Sequence, residues 1–486
     1  MMIPRCMSTQ HPDNVQMPFF AEDPEMHGED EVHEAYYAFS HLGCDEQMWD
    51  YEGKEVDNFV VKKLLSTYDT YFHEVRLGQD VFLTPRIPNP EIEKSEAKIL
   101  LETLGSIPRS FDAARLFDSA SPPPIFEVIL PMTTSAAAIN NVYNYYANVF
   151  IARQNVRLPG TDLTIREWLG EFRPERINVI PLFESTTDML SAPDVMKTYL
   201  SDKDFEHQRV FLARSDPAMN FGMVSTVLAN KVTLRRLEDM AHQLGVALYP
   251  IIGLGTAPFR GGLSPYTVAQ VAAEYPSVAT FTIQSAFKFD YPPAKVTAAI
   301  QQLKDTPLRP APEIDTERAL MIMEKYTRAY QAQVVELAPV INNVAAYVPR
   351  RRKRKLHIGL FGYSRNVNGI HLPRAIGFTA ALYSIGLPPE LLGLNALDKS
   401  DIAFVRENYI NFDSDLQAAL RFANPRNNRY FPRELKDAID AIDLPVDCVQ
   451  EHCDISAKVL DALKNNQYSA LDGLILRAAY LRRFLG

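Results

Sequence analysis

The sequence predicts an α/β protein, an eight-stranded parallel barrel of the TIM type with extensive additional helices, especially toward the C-terminus. Three observations predict it. Short apolar or β-rich segments alternate with longer helical patterns, as a parallel sheet with crossovers requires. Polar residues collect at the carboxyl ends of those segments, where barrel enzymes build their sites. The last third, from Thr316 onward, reads as helical apart from one strand-like run.

Along the chain, Phe19 to Asp57 is acidic, poor in β-branched residues and broken by Pro24, Gly28, Gly43 and Gly53, so it predicts loops and short helices, a cover rather than a sheet. The first strand is assigned to the short lead-in to Ser8 to Asp13. Seven further segments carry strand character: Val81 to Pro88, Ile125 to Met132, Ile177 to Glu184, Arg209 to Asp216, Val246 to Gly255, Val278 to Ser285 and Lys355 to Ser364. Between them Met223 to Leu244, Thr267 to Glu274 and Ala294 to Lys304 predict helices, and Ala470 to Phe484 predicts a terminal amphipathic helix. The whole of 1–486 is expected to form one barrel domain: an N-terminal cover and first strand over 1–75, a barrel core over 76–376 and a helical C-terminal part over 377–486.

Composition narrows the function classes. Hydrophobic residues at 47% and charged residues at 23% match ordinary globular usage and exclude disorder or a fibrous repeat. No apolar run approaches the roughly 18 to 20 residues that span a bilayer, and Met1 to Asn14 lacks a signal-peptide core, so a cytoplasmic chain without a membrane partner is expected. Four cysteines, Cys6, Cys44, Cys448 and Cys453, suit a reducing compartment. Cys448 and Cys453 flank His452, but with no second Cys/His pair at zinc-like spacing they read as reduced thiols on a helix end. The net charge of −10 argues against nucleic acid as a default partner.

Arg86, Glu184, Asp216, Gln284 and Arg365 each end or just follow a strand-like run. Any one of them could simply mark solvent after a buried strand, but the set fits that reading poorly. Glu184 and Asp216 close consecutive segments, neighbours in a barrel, and two carboxylates at one mouth suit Mg²⁺ or Mn²⁺. The blander readings are a helix N-cap for Asp216 and a surface ion pair for Glu184. In Gly253 to Gly262, Gly261 and Gly262 permit positive φ and close backbone approach, while Arg260 can fork onto phosphate or carboxylate; a tight turn with an exposed arginine is the alternative. The basic run Arg350 to Lys355 leads directly into the apolar Leu356 to Phe361 without aromatic interleaving, so a solvated or interface patch is expected ahead of an anion site or nucleic-acid contact. His11, between Gln10 and Pro12, is a held imidazole able to accept or donate a proton, although a lone histidine is more often structural.

Taken together, Ser-Thr-Gln-His-Pro-Asp-Asn (8–14), Ile-Pro-Leu-Phe-Glu (180–184), Ala-Arg-Ser-Asp-Pro-Ala (213–218), Pro-Phe-Arg-Gly-Gly (258–262), Gly-Tyr-Ser-Arg (362–365) and Leu-Pro-Arg-Ala-Ile (372–376) resemble the archaeal-type phosphoenolpyruvate carboxylases. The resemblance implies that His11 is the catalytic histidine, that Glu184 and Asp216 bind Mg²⁺ or Mn²⁺, and that Arg260, Arg365 and Arg374 are catalytic arginines. It implies substrate contacts for Arg86, Gly261 and Gly262. It further implies an allosteric, cytoplasmic homotetramer, a dimer of dimers. Such an enzyme converts phosphoenolpyruvate and bicarbonate to oxaloacetate and phosphate by way of carboxyphosphate and a metal-stabilised pyruvate enolate, replenishing the tricarboxylic acid cycle. Two departures stand out. Met219 occupies the position of a lysine in the longer relatives, and Arg482 to Gly486 replaces their C-terminal Asn-Thr-Gly, which leaves aspartate inhibition open. The rival readings are another barrel enzyme acting on phosphoenolpyruvate or pyruvate, such as an aldolase, and a nucleic-acid-binding protein using Arg350 to Lys355.

Overall fold

The computed structural model describes residues 2–51, 57–94, 97–353, 366–367, 370–424, 426–427, 429–445 and 447–486. Eight parallel strands close into a barrel: β1 (Cys6–Ser8), β2 (Glu46–Asp50), β3 (Phe82–Arg86), β4 (Glu127–Leu130), β5 (Asn178–Phe183), β6 (His207–Ala213), β7 (Ala247–Gly253) and β8 (Thr280–Ile283). Closure is made by β1, which pairs with β2 through Met7 and Glu46 and with β8 through Cys6 and Phe281. Five strands lie within the segments named from the sequence, β6 begins two residues ahead of its segment, and β1 falls just ahead of His11, as its lead-in predicts.

One strand assignment is corrected. The second strand, Glu46–Asp50, arises inside the stretch expected to be loops and short helices. Glu-Gln-Met-Trp-Asp lacks β-branched residues, yet all five are buried, because its acidic side chains meet partners supplied from elsewhere in the barrel. The segment Lys355 to Ser364, expected as the last barrel strand, lies outside the described residues. The eight described strands close the barrel among themselves, β8 pairing with β1.

The floor of the barrel explains the acidic strand. Glu46, Glu127, Arg209 and Thr280 come from β2, β4, β6 and β8, and alternate strands contribute the side chains of one interior layer in this architecture. Arg209 donates Nη1 to Glu46 and Glu127, each at 2.9 Å, and Nη2 to Glu46 at 2.6 Å and Thr280 at 3.2 Å. Burial works against the Arg209 charge, but the two carboxylates outweigh it and its pKa stands above the ordinary arginine value. Above this layer Met48, Leu182, Phe211 and Ile251 are apolar and buried.

Outside the barrel, Met223–Leu244, Val268–Glu274 and Pro293–Asp305 are helices at the expected places. The C-terminal part adds the long helix Thr316–Ala345 and ends on Leu471–Arg482, whose Leu471, Ile475, Ala478, Ala479 and Arg482 form the buried stripe of an amphipathic helix. The N-terminal helix Glu29–Ser40 is anchored by a residue of the basic run. Arg352 is 3% exposed and donates to Glu31 at 3.0 Å and Glu34 at 2.6 Å, while Lys288 reaches Glu34 at 2.8 Å. Arg351 is also buried, on the carbonyls of Asn14 and Val15. The expected solvated patch is therefore corrected for these two arginines, since carboxylates and carbonyls from the N-terminal cover compensate them. Arg350 and Lys353 are exposed, and residues 354 and 355 lie outside the described residues. Among the described residues no single helix is long and apolar enough to cross a membrane.

Candidate active site

A cavity opens at the carboxyl ends of the strands and brings together His11, Arg86, Glu184, Asp216, Arg260 and Arg374, with Gln284 beside them. Each side chain reaches it from the end of an element. His11 follows β1, Arg86 ends β3, Glu184 follows β5, Asp216 follows β6 and Arg374 precedes the helix Ala375–Ser384. Arg365 lies outside the described residues.

His11 is oriented by its own loop. Its Nδ1 lies 2.9 Å from Thr9 Oγ1, and that hydroxyl donates to the Ile283 carbonyl at 3.3 Å. With the hydroxyl proton on that carbonyl, the oxygen accepts from Nδ1–H, the tautomer that leaves the ring lone pair on Nε2. Pro12 and Asp13 complete the turn. Buried Asp13 accepts from the backbone N–H of Ala286 at 2.7 Å and of Thr256 at 3.3 Å, and faces Arg260 Nη1 at 3.4 Å. Burial raises the Asp13 pKa, with Arg260 opposing the rise. One carboxylate therefore ties the His11 loop to the loop that carries Arg260.

Glu184 and Asp216 stand at the ends of adjacent strands, β5 pairing with β6 through Phe183 and Leu212. Glu184 Oε2 accepts from the Met132 N–H at 2.8 Å. Met132 adopts φ 49°, an uncommon conformation for a side-chain-bearing residue, and its neighbour Asn89 donates to the Pro131 and Met132 carbonyls. Asp216 lies in the first turn of Ser215–Phe221, a helix that has no side-chain cap, so the N-cap reading does not hold. Glu184 is half-buried in the cavity wall. Two hard-oxygen carboxylates at one mouth fit a divalent cation of the Mg²⁺ or Mn²⁺ type. Among the described residues no cluster of three or more His, Cys, Asp or Glu side chains is arranged to hold a metal.

Arg86 is gripped bidentately by Asp50, with Nε to Oδ1 at 2.9 Å and Nη2 to Oδ2 at 2.8 Å. Asp50 was missed by sequence reasoning because it ends the unrecognised strand β2. Arg260 is 1% exposed and donates Nε to Ser215 Oγ at 3.1 Å and Nη2 to Gln284 Oε1. Burial lowers its pKa against the pull of Asp13 and Asp216. The alternative of a tight turn with an exposed arginine is thereby excluded.

Gly261 and Gly262 do not line the cavity. Their N–H groups are spent within the loop, on the carbonyls of Pro258 at 2.9 Å and Ala257 at 3.0 Å. At Gly261, φ is 118° and an added Cβ would sit 2.5 Å from Leu254, so glycine there serves the fold of the loop. Met219 is buried and contributes its carbonyl to Tyr330. Arg214 and Ser215, which also line the cavity, sit inside a motif the sequence highlights but were not assigned roles.

The profile of the phosphoenolpyruvate carboxylase family matches residues 3–486. The chain belongs to this family. Phosphoenolpyruvate carboxylases similar to it include that of Methanospirillum hungatei, 56% identical over 487 residues and covering 100% of both chains. That of Methanothermobacter thermautotrophicus is 53% identical over 486 residues, again 100% of both chains. That of Pyrococcus furiosus is 55% identical over 429 residues, 87% of this chain and 89% of its own. A phosphoenolpyruvate carboxylase is an enzyme whose chemistry must sit where charge converges, and the strand-end cavity has that character.

Proposed function

We propose that this cavity carboxylates phosphoenolpyruvate with bicarbonate, giving oxaloacetate and inorganic phosphate. The observation that supports the reading is the convergence of His11, two carboxylates and several arginines in one cavity of a chain belonging to this family. The two substrates together carry about four negative charges, and like unit charges 4 Å apart repel by about 4 kcal/mol at an effective dielectric near 20. Arg86, Arg260 and Arg374 offset that repulsion, as would Arg365.

A bicarbonate oxygen attacks phosphorus and the bond from phosphorus to the enol oxygen breaks, leaving carboxyphosphate and the pyruvate enolate. His11 Nε2 then takes the carboxyl proton of carboxyphosphate, which falls apart to CO₂ and phosphate, and the enolate carbon attacks CO₂. Glu184 and Asp216 would hold Mg²⁺ or Mn²⁺, which supplies Lewis-acid stabilisation of negative charge on oxygen. Water must be kept out, since it would protonate the enolate to pyruvate. The burial of Arg260 and Asp13 makes the corresponding wall dry. We place this activity in a single barrel domain over 1–486, in a cytoplasmic homotetramer. The unpaired state of all four cysteines is consistent with that compartment.

Coupling to malate dehydrogenase and NADH tests the reaction. NADH loss is expected only when phosphoenolpyruvate, bicarbonate and a divalent metal are all present, and metal-loaded protein showing no bicarbonate-dependent loss would overturn the reading.

A further inference from the structure

The loop that presents Arg260 is closed mostly on itself. Gly255 N–H donates to the Arg260 carbonyl at 2.8 Å, Arg260 N–H to Ala257 at 2.8 Å and Leu263 N–H to Gly255 at 3.0 Å. The Phe259 residue differs, because both of its backbone polar atoms turn away from the loop. Its N–H donates to Glu390 Oε1 at 2.7 Å, and its carbonyl accepts from Arg214 Nη1 at 3.1 Å.

Both partners are ionisable and buried, Glu390 at 0% and Arg214 at 1% exposure. They approach from different parts of the fold. Arg214 follows β6, next to the Ser215 that accepts from Arg260, whereas Glu390 lies in the turn Pro389–Leu391 of the C-terminal part. Tyr383 Oη fixes the Glu390 carboxyl at 2.6 Å, and the Phe259 ring stacks on Phe378 at 5.9 Å. Burying two charges among aromatic rings is costly, and an apolar filling would pack this space at less cost. What the charged pair adds is direction: hydrogen bonds to both polar atoms of one residue set its place and its rotation.

We propose that Glu390 and Arg214 are positioning residues that clamp Phe259 from both sides and so fix where the next residue, Arg260, holds its guanidinium. This rests on the reading of Arg260 as a ligand for the substrate anion, and it assigns the C-terminal helical part a role in ordering the catalytic loop. Burial pushes the Glu390 pKa up to about 7, against the hydrogen bonds from Tyr383 and Phe259. A carboxyl so placed accepts these bonds whether or not it is ionised.

The test combines peptide-level hydrogen exchange with kinetics on the full chain. In Glu390→Ala, amides of residues 255–263 are expected to exchange about tenfold faster while a β4 peptide is unchanged, and kcat/KM for phosphoenolpyruvate to fall about tenfold. Glu390→Gln, which retains an oxygen for the Phe259 N–H, is expected to recover most of both. Unchanged loop exchange in Glu390→Ala, or faster exchange with intact kcat/KM, overturns the clamp. If the β4 peptide also loosens in Glu390→Ala, Arg214→Lys is read by the same exchange criterion, and an unaltered loop there is equally fatal. A wild-type protein that makes no oxaloacetate would sink the proposed function, while the exchange measurements still judge the clamp.

Discussion

At the scale of single residues, the chemistry depends on which nitrogen of His11 is basic. In the proposed reaction, Thr9 donates to the Ile283 carbonyl and accepts from Nδ1–H, and Nε2 is the nitrogen that acts on the substrate. On this basis His11→Asn is expected to retain part of the bicarbonate-dependent phosphate release while oxaloacetate formation falls by about 100-fold or more. Parallel assays of phosphate and oxaloacetate check it, and if both fall together His11 serves binding or the first step. Much of this site was legible from strand ends alone: Arg86, Glu184, Asp216 and Gln284 all reach one cavity. The clamping pairs were not. Asp50 could be linked to Arg86 only once β2 is known, and Asp13 acquires meaning only when Arg260 and the Ala286 N–H are seen beside it.

At the scale of elements, the same limit shows in how strands announce themselves. Six strands were visible because apolar and β-branched residues dominate them, whereas β2 is built from Glu46, Gln47 and Asp50, and the burial of its two carboxylates depends on Arg209 and Arg86. The apolar run after the basic stretch, read from the sequence as the last barrel strand, lies outside the described residues. The basic stretch itself turns out to anchor a helix. Glu34, although burial opposes its charge, is held at a pKa of about 2 by Arg352 and Lys288, against 4.5 for an ordinary glutamate. A depressed carboxylate pKa stabilises the fold fully above about pH 4.5, and that contribution disappears as pH falls through about 2. The gap of two to three pKa units corresponds to on the order of 3 kcal/mol. Acidification from pH 5 to 2.5 is therefore expected to loosen the helix Glu29–Ser40, followed by hydrogen exchange of its amides, and Arg352→Gln should move the loosening to higher pH. Equal acid sensitivity in the two proteins would refute this anchoring.

At the scale of the molecule, the barrel and the C-terminal part share one buried apolar cluster running from Cys6 to Ile475, and the Arg260 loop touches both. The alternation of strand-like and helical segments was enough to predict the barrel, but not its polar floor, which is made of residues far apart in the chain. Arg209→Met leaves Glu46 and Glu127 buried without their cation and is expected to cost about 3–5 kcal/mol in urea unfolding. Replacing Glu46, Glu127 and Arg209 together by apolar residues should recover much of that loss; a single substitution costing under about 1 kcal/mol would show that the floor is not a stabilising unit.

That floor also bears on the order in which the chain is made. Synthesis delivers Glu46 and Glu127 well before Arg209, so the first half of the nascent barrel holds two carboxylates at its centre and no guanidinium to neutralise them. A dry half-barrel holding both carboxylates ionised is then unfavourable until β6 has left the ribosome. The arrangement postpones closure until the residues that complete the charge balance, and with them Asp216 and the Arg260 loop that follow in sequence, are at hand.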